Sequence, residues 1–178
     1  IFDLTRALTP GRHVITVLVD NAKLPPVGPS HAVDERTQSN WNGMIGRLEL
    51  RATDPVWIED VQVYPDAAGK QARVRAVVGN ITGQPADGRL TVGCESYNVV
   101  APAAFQTQSV AVQVPARRSV VTFTYQPGGS VPLWDEFQPA MLRLELKLAA
   151  TTGGRSCTDH QAVSFGLRDF KKTGQRLA

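Results

Sequence analysis

The side chains that could do chemistry are few and scattered. Glu49, Glu59, Glu95 and Glu145 are the carboxylates one would test first for acid–base or nucleophilic work. Each falls on an outward strand position or a turn, where solvated surface charge is the ordinary explanation. Ser–His–Asp chemistry lacks its Gly-x-Ser-x-Gly elbow. His13, His31 and His160 lie far apart and have no metal-ligand spacing, and neither Cys94 nor Cys157 belongs to a CxxC pair, so no metal or structural zinc is expected. Gly153-Gly154 signals a hairpin rather than a phosphate loop, and no cofactor is implied. Residues 31–41, His31-Ala32-Val33-Asp34-Glu35-Arg36-Thr37-Gln38-Ser39-Asn40-Trp41, are denser in polar groups. That density, ending in a tryptophan, suits sugar hydroxyls and ring stacking, and it also suits a solvated loop.

The scaffold for these residues must be a β structure. The 178 residues are 42% hydrophobic, 20% charged and 7% aromatic, which is ample for a packed core and excludes wholesale disorder. No run approaches the roughly 18 apolar residues of a helical membrane span. Fifteen glycines and twelve prolines show no period, which excludes collagen-like chains. The net charge of +3 does not cluster: residues 1–52 carry six basic and five acidic side chains, residues 53–178 thirteen and eleven. Only Arg117-Arg118 and Lys171-Lys172 are adjacent basic pairs, so the basic stripe that nucleic acid needs is missing.

A period of two runs through the chain from residue 55 onward. Ala72, Val74, Ala76 and Val78 alternate with Arg73 and Arg75, and the pattern returns at Leu90, Val92 and Cys94, then at Val110, Val112 and Val114. It recurs at Val121, Phe123 and Tyr125, at Leu142, Leu144, Leu146 and Leu148, and at Val163, Phe165 and Leu167. With residues 57–64 this predicts seven strands over residues 55–168, each with one apolar face that a second sheet must cover. Turn signals at Pro65-Asp66, residues 80–83, 115–117, 127–130 and 152–154 punctuate them. Seven short strands in about a hundred residues describe an all-β, immunoglobulin-like antiparallel sandwich. Cys94 falls on the third strand and Cys157 just before the seventh, so the antibody-type staple is absent and both thiols are expected free. Trp134, just before Pro139 and the sixth strand, is expected to be largely buried at the open end of the sandwich.

Residues 1–52 read differently. Residues 13–20 are an apolar strand on both faces, and residues 45–51 alternate with Leu48 and Leu50 inward. A long connection rich in Pro, Ser and charge separates them. Two strands and a loop cannot build a core, so this part is expected to be the end of a β domain whose beginning lies elsewhere. The opening Ile1-Phe2 falls mid-element, as in a piece of a longer polypeptide, and the boundary is placed at Thr53-Asp54-Pro55.

Five phrases then carry a resemblance. Leu4-Thr5-Arg6-Ala7-Leu8-Thr9-Pro10-Gly11-Arg12-His13-Val14 resembles the Thr-x-x-Leu-x-Pro-Gly phrase in the sugar-binding jelly roll of glycoside hydrolase family 2. Trp41-Asn42-Gly43-Met44-Ile45-Gly46-Arg47-Leu48-Glu49-Leu50 is similar to the Gly-Ile-x-Arg segment ending that jelly roll. Val56-Trp57-Ile58-Glu59-Asp60-Val61-Gln62-Val63-Tyr64-Pro65 is similar to the first immunoglobulin-like strand. Leu133-Trp134-Asp135-Glu136-Phe137-Gln138-Pro139-Ala140-Met141-Leu142-Arg143-Leu144 resembles the Leu-Trp-x-x-x-x-Pro-x-Leu-Tyr-x-Leu phrase, with Met141-Leu142 at the Leu-Tyr. Phe165-Gly166-Leu167-Arg168-Asp169-Phe170 resembles the Phe-Gly-x-Arg signature that closes the sandwich before the catalytic barrel.

The resemblance implies three parts: residues 1–53 as the C-terminal portion of the jelly roll, residues 54–168 as the immunoglobulin-like sandwich, and residues 169–178 as a linker toward a (β/α)8 barrel. The parent would be a retaining β-glycosidase using two glutamates about 5–5.5 Å apart. The family's acid/base Glu follows an Asn, and this chain has no Asn-Glu dipeptide and no room for a barrel of about 250 residues, so no catalytic residue carries over. In some family members the late jelly-roll loop reaches the rim of the sugar pocket, which makes Asp34, Glu35, Arg36, Asn40 and Trp41 the substrate-rim candidates. Partners implied are the glycan of the parent enzyme, the barrel within the same chain and an oligomer contact, with neither nucleic acid nor membrane. A free-standing carbohydrate- or protein-binding sandwich is the alternative. The family suits a periplasmic or secreted glycan-degrading enzyme; the sequence itself leaves the compartment open.

Overall fold

The structure, a computed structural model, describes residues 2–20, 44, 46 and 48–168, and the backbone alone of residues 172–173 and 176–177. It divides into two compact units, Ile1–Leu50 and Arg51–Ala178.

The second unit is all-β; among the described residues there is no helix. Seven strands follow one another: β1 (Val56–Asp66), β2 (Gln71–Asn80), β3 (Ala86–Tyr97), β4 (Gln108–Val114), β5 (Arg117–Tyr125), β6 (Met141–Thr152) and β7 (Arg155–Phe165). They form two antiparallel sheets, β1-β2-β5 and β4-β3-β6-β7. A two-residue pairing of Lys172–Thr173 with Arg176–Leu177 follows.

Alternation puts the core where the sequence expects it. Val74, Ala76 and Val78 of β2 meet Leu142, Leu144, Leu146 and Leu148 of β6, all buried, between the sheets. Leu90 and Val92 of β3, Val112 and Val114 of β4 and Tyr125 of β5 complete it. The β6–β7 hairpin turns on Gly153-Gly154, both at positive φ (53° and 77°), the backbone that a two-residue turn matching strand twist requires.

Two details depart from simple alternation. Val77 points to the outer face of its sheet yet is fully buried, so the second half of β2 is covered on both sides. Its neighbour Gly79 explains part of the cover: the Trp57 indole lies so close that a Cβ at position 79 would stand 2.5 Å from the ring. The ion pairs Arg118–Glu59 (3.1 Å) and Arg75–Asp60 (3.9 Å) flank the same face. Second, Cys157 lies within β7, not before it, because the hairpin starts two residues earlier at Arg155. Both cysteines are buried free thiols. Cys94 pairs with Leu144 and Cys157 with Ala150, six residues apart on β6. That is about 20 Å of strand, far beyond disulfide reach.

The first unit contradicts expectation where it is described. Residues 13–20 and 48–50 carry no strand, and Val14, Ile15, Val17, Leu18, Leu48 and Leu50 are exposed. An apolar run becomes a strand only with a neighbouring strand for its N–H and C=O groups and a second layer for its side chains, and neither stands against these residues among the described ones. Local bonds are found at the unit's start: Leu4 C=O accepts from the Ala7 and Leu8 amides, and the Asp3 carboxylate accepts from Thr5 N–H at 2.9 Å.

Candidate functional site

The rim candidates Asp34, Glu35, Arg36, Asn40 and Trp41 lie outside the described residues. Glu59, Glu95 and Glu145 of the sandwich are surface groups with basic company. Glu59 pairs with Arg118, Glu145 with Lys147 at 3.3 Å, and Glu95 stands opposite Arg143 on the β3–β6 ladder. Glu95, Arg143 and Glu145 line a shallow depression of about 390 Å³ over Gly93, whose α-hydrogen faces open space. Beneath it, burial pushes the Cys94 thiol up to about 12, with the Glu95 charge adding to the effect. Burial likewise raises the Tyr125 phenol, whose O–H donates to Gln106 C=O at 2.6 Å. Neither group is an activated nucleophile; both are structural.

The densest built corner is where the chain leaves the sandwich. After β5 the chain runs through buried Val131 to Leu133 and Trp134. Trp134 N–H donates to Leu167 C=O at 3.1 Å, and Trp134 bridges to Pro139 across a short loop. The Asp135 carboxylate shapes that loop by accepting from the Phe137 and Gln138 amides at 2.8 and 2.7 Å, an Asx-type turn. Asn98 Nδ2 donates to Pro139 C=O at 2.8 Å, tying in the β3–β4 loop. Gly166 is required here, since a Cβ would stand 2.9 Å from the indole. The Arg168 guanidinium lies over the Trp134 ring, 4.8 Å from its centroid, a cation–π contact. Buried Leu167 anchors the segment between them.

Trp134 is therefore largely covered, as expected, without being fully enclosed. Its ring is covered by Gly166 and Arg168, and no partner for its ring nitrogen appears among the described residues. Around it the end of the sandwich offers apolar side chains to solvent: Leu133, Phe137 at 87% exposure, and Val100 in the neighbouring loop. A rigid corner with a stacked arginine and exposed apolar groups can hold another surface.

Sequence reasoning missed a second built feature along the β1–β7 side. Asp159 accepts from Arg51 Nη2 at 2.7 Å and from Ile58 N–H at 2.8 Å, while Gln161 Nε2 donates to Ile58 C=O at 2.7 Å. Asp54 accepts from Thr158 N–H at 2.7 Å. These side chains lie about a hundred positions from their partners, and no local spacing announces them.

No family model matches the chain, and no curated protein matches its sequence. Solved structures do share its fold. β-Glucuronidase 2 of Bacteroides uniformis aligns with a TM-score of 0.53 at 18% identity, covering 67% of this chain and 15% of that one. Another B. uniformis β-glucuronidase structure gives 0.54 at 16% identity, with the same coverage. A glycosyl hydrolase family 2 member from Bacteroides cellulosilyticus gives 0.54 at 16%, covering 70% of this chain and 18% of that one. The chain thus spans less than a fifth of the length of each. At such identities the likeness is one of fold: this all-β arrangement is found within family 2 glycosidases.

Proposed function

We propose that this chain is the non-catalytic β-domain portion of a family 2 glycoside hydrolase, a retaining β-glycosidase whose two glutamates lie outside it. Residues 54–168 are its immunoglobulin-like sandwich, residues 1–53 the end of its sugar-binding jelly roll, and residues 169–178 lead toward the catalytic barrel. The single observation that carries this reading is coverage: two thirds of this chain matches about a seventh of a β-glucuronidase. The Trp134–Arg168 corner fits the supporting role. It fixes the exit of the chain rigidly and leaves Leu133 and Phe137 open to a neighbouring domain. Asp34, Glu35, Arg36, Asn40 and Trp41 are proposed to reach the rim of the parent's sugar pocket.

The test is incubation of the chain with chromogenic β-glycosides, β-glucuronides included. No chromophore is expected above background. Turnover abolished by Glu59→Gln, Glu95→Gln or Glu145→Gln overturns the reading. The alternative, a free-standing carbohydrate-binding module, is tested by calorimetry against soluble glycans; saturable binding by the chain alone favours it.

A further inference from the structure

The sandwich does not treat its sheet edges alike. An open edge is a template for another strand, and proteins blunt it with bulges, side chains or short strands. β1 has a register shift between Ile58 and Asp60, and its Ile58 amide and carbonyl are taken by Asp159 and Gln161. On β7, the Thr158 amide is taken by Asp54. β4 is seven residues long and turns at once into β5. β5 has fewer of these devices: it is nine residues long, free of proline and in unbroken register with β2, with its two arginines confined to its first two positions. Among the described residues one of its outward carbonyls is capped, Thr124 C=O, by Gln108 Nε2 at 3.1 Å.

Which groups of β5 face outward follows from the sheet. Ile58 turns its amide and carbonyl away from β2, so Ile58–Val78 is a pair that exchanges no hydrogen bonds. Val78 therefore turns toward β5, and the Val78–Ser119 pair is bonded. Arg118, Val120, Thr122 and Thr124, on the other parity, aim their N–H and C=O groups outward. The Gln108–Thr124 bond agrees independently. No other backbone bond reaches these residues among the described ones.

We propose that β5 is a homodimer edge, pairing antiparallel with β5 of a second copy to join two three-stranded sheets into one of six. The sequence Arg117-Arg118-Ser119-Val120-Val121-Thr122-Phe123-Thr124-Tyr125 is self-complementary in this sense. A two-fold centred on Val121 places Val120 opposite Thr122 and Arg118 opposite Thr124. Every outward group then meets an outward group, β-branched residues face each other, and no arginine opposes an arginine. Val120, half exposed in the single chain, gains cover. The inference does not rest on the glycosidase reading; either can fail alone.

The test combines sedimentation with amide exchange on the whole chain across a concentration series. A species of twice the 19.3 kDa mass is expected. The Val120 and Thr122 amides should slow by roughly tenfold or more as it forms, whereas Ser119 and Val121, bonded to β2, stay protected throughout. Thr122→Pro removes an outward donor and no ladder bond, and should abolish both changes. Val120→Lys does the same by charge, should the proline variant not fold. A chain monomeric at every concentration overturns the proposal. So does a dimer that both variants leave intact, or protection of Val120 and Thr122 already present in dilute monomer.

Discussion

Leu18 and Leu146 are the same residue in two runs that both read as strands, and their fates are opposite. Leu18, between Val17 and Val19, is 91% exposed in a segment without a strand. Leu146 is fully buried, with Val92 and Gln161 beside it on the neighbouring strands. Period two states that a segment could be half of a sheet face. Whether it becomes one depends on a hydrogen-bonding neighbour and an opposing layer, both supplied by distant residues. In Arg51–Ala178 seven such runs supply each other; in Ile1–Leu50 no such neighbour stands among the described residues.

The largest expected difference between the regions is chemical. The Cys94 thiol, raised from 9.0 to about 12, should be labelled by a thiol reagent at pH 8 roughly a thousandfold more slowly than an unfolded cysteine. Labelling should accelerate only when the sandwich opens. The sign for stability follows from a folded pKa above the unfolded one. The contribution is complete below about pH 9 and is lost as pH rises toward 12, because ionisation then favours the unfolded chain. Rapid labelling of Cys94 in the native chain would mean that β3 is far less sealed than its buried neighbours indicate.

Core truncation comes next. Leu146→Ala should cost about 2–5 kcal/mol in chemical denaturation, since the site lies between two sheets and cannot collapse. A cost under 1 kcal/mol would remove the distinction between the regions from its stronger side.

Trp134 sharpens the comparison at the boundary between buried and exposed. Covered by Gly166 and Arg168 but not fully enclosed, it should lose about 2 kcal/mol as Trp134→Ala, less than the roughly 3–5 of a sealed tryptophan. Gly166→Ala forces a methyl against the indole and should cost roughly 1–3 kcal/mol by denaturant titration. If the glycine variant is neutral, the indole is not seated as described.

Much of this was legible beforehand. The seven strands, the inward sets Val74-Ala76-Val78 and Leu142 to Leu148, and the hairpin at Gly153-Gly154 follow from side-chain period and turn chemistry, which are local. The β1–β7 clamp was not, because Asp159 and Ile58 meet only once both sheets exist. Trp57 over Gly79 left a faint trace, a glycine inside a strand, which marks close approach by another group. The cover over Trp134 could be read from a bulky apolar residue beside a strand start, but that Gly166 and Arg168 supply it could not, because both lie more than thirty positions away. The rim candidates at residues 34–41 rest on composition and family likeness alone.

The smallest expected effect bears hardest on the comparison. Leu18→Ala and Val14→Ala remove apolar atoms that already face water, Val14 at 86% exposure. The transfer term that makes core truncation costly is then absent, because the atoms are equally solvated in the folded and unfolded chain. No cavity forms, since both side chains are almost wholly exposed. Side-chain entropy changes little for the same reason. Each variant should therefore stay within about 0.5 kcal/mol of the parent in denaturant titration, as surface changes do. The informative outcome is a larger one. A loss of 2 kcal/mol at Leu18 would mean that residues 13–20 find a sheet in solution after all, and the contrast with Leu146 would then be one of partner, not of order.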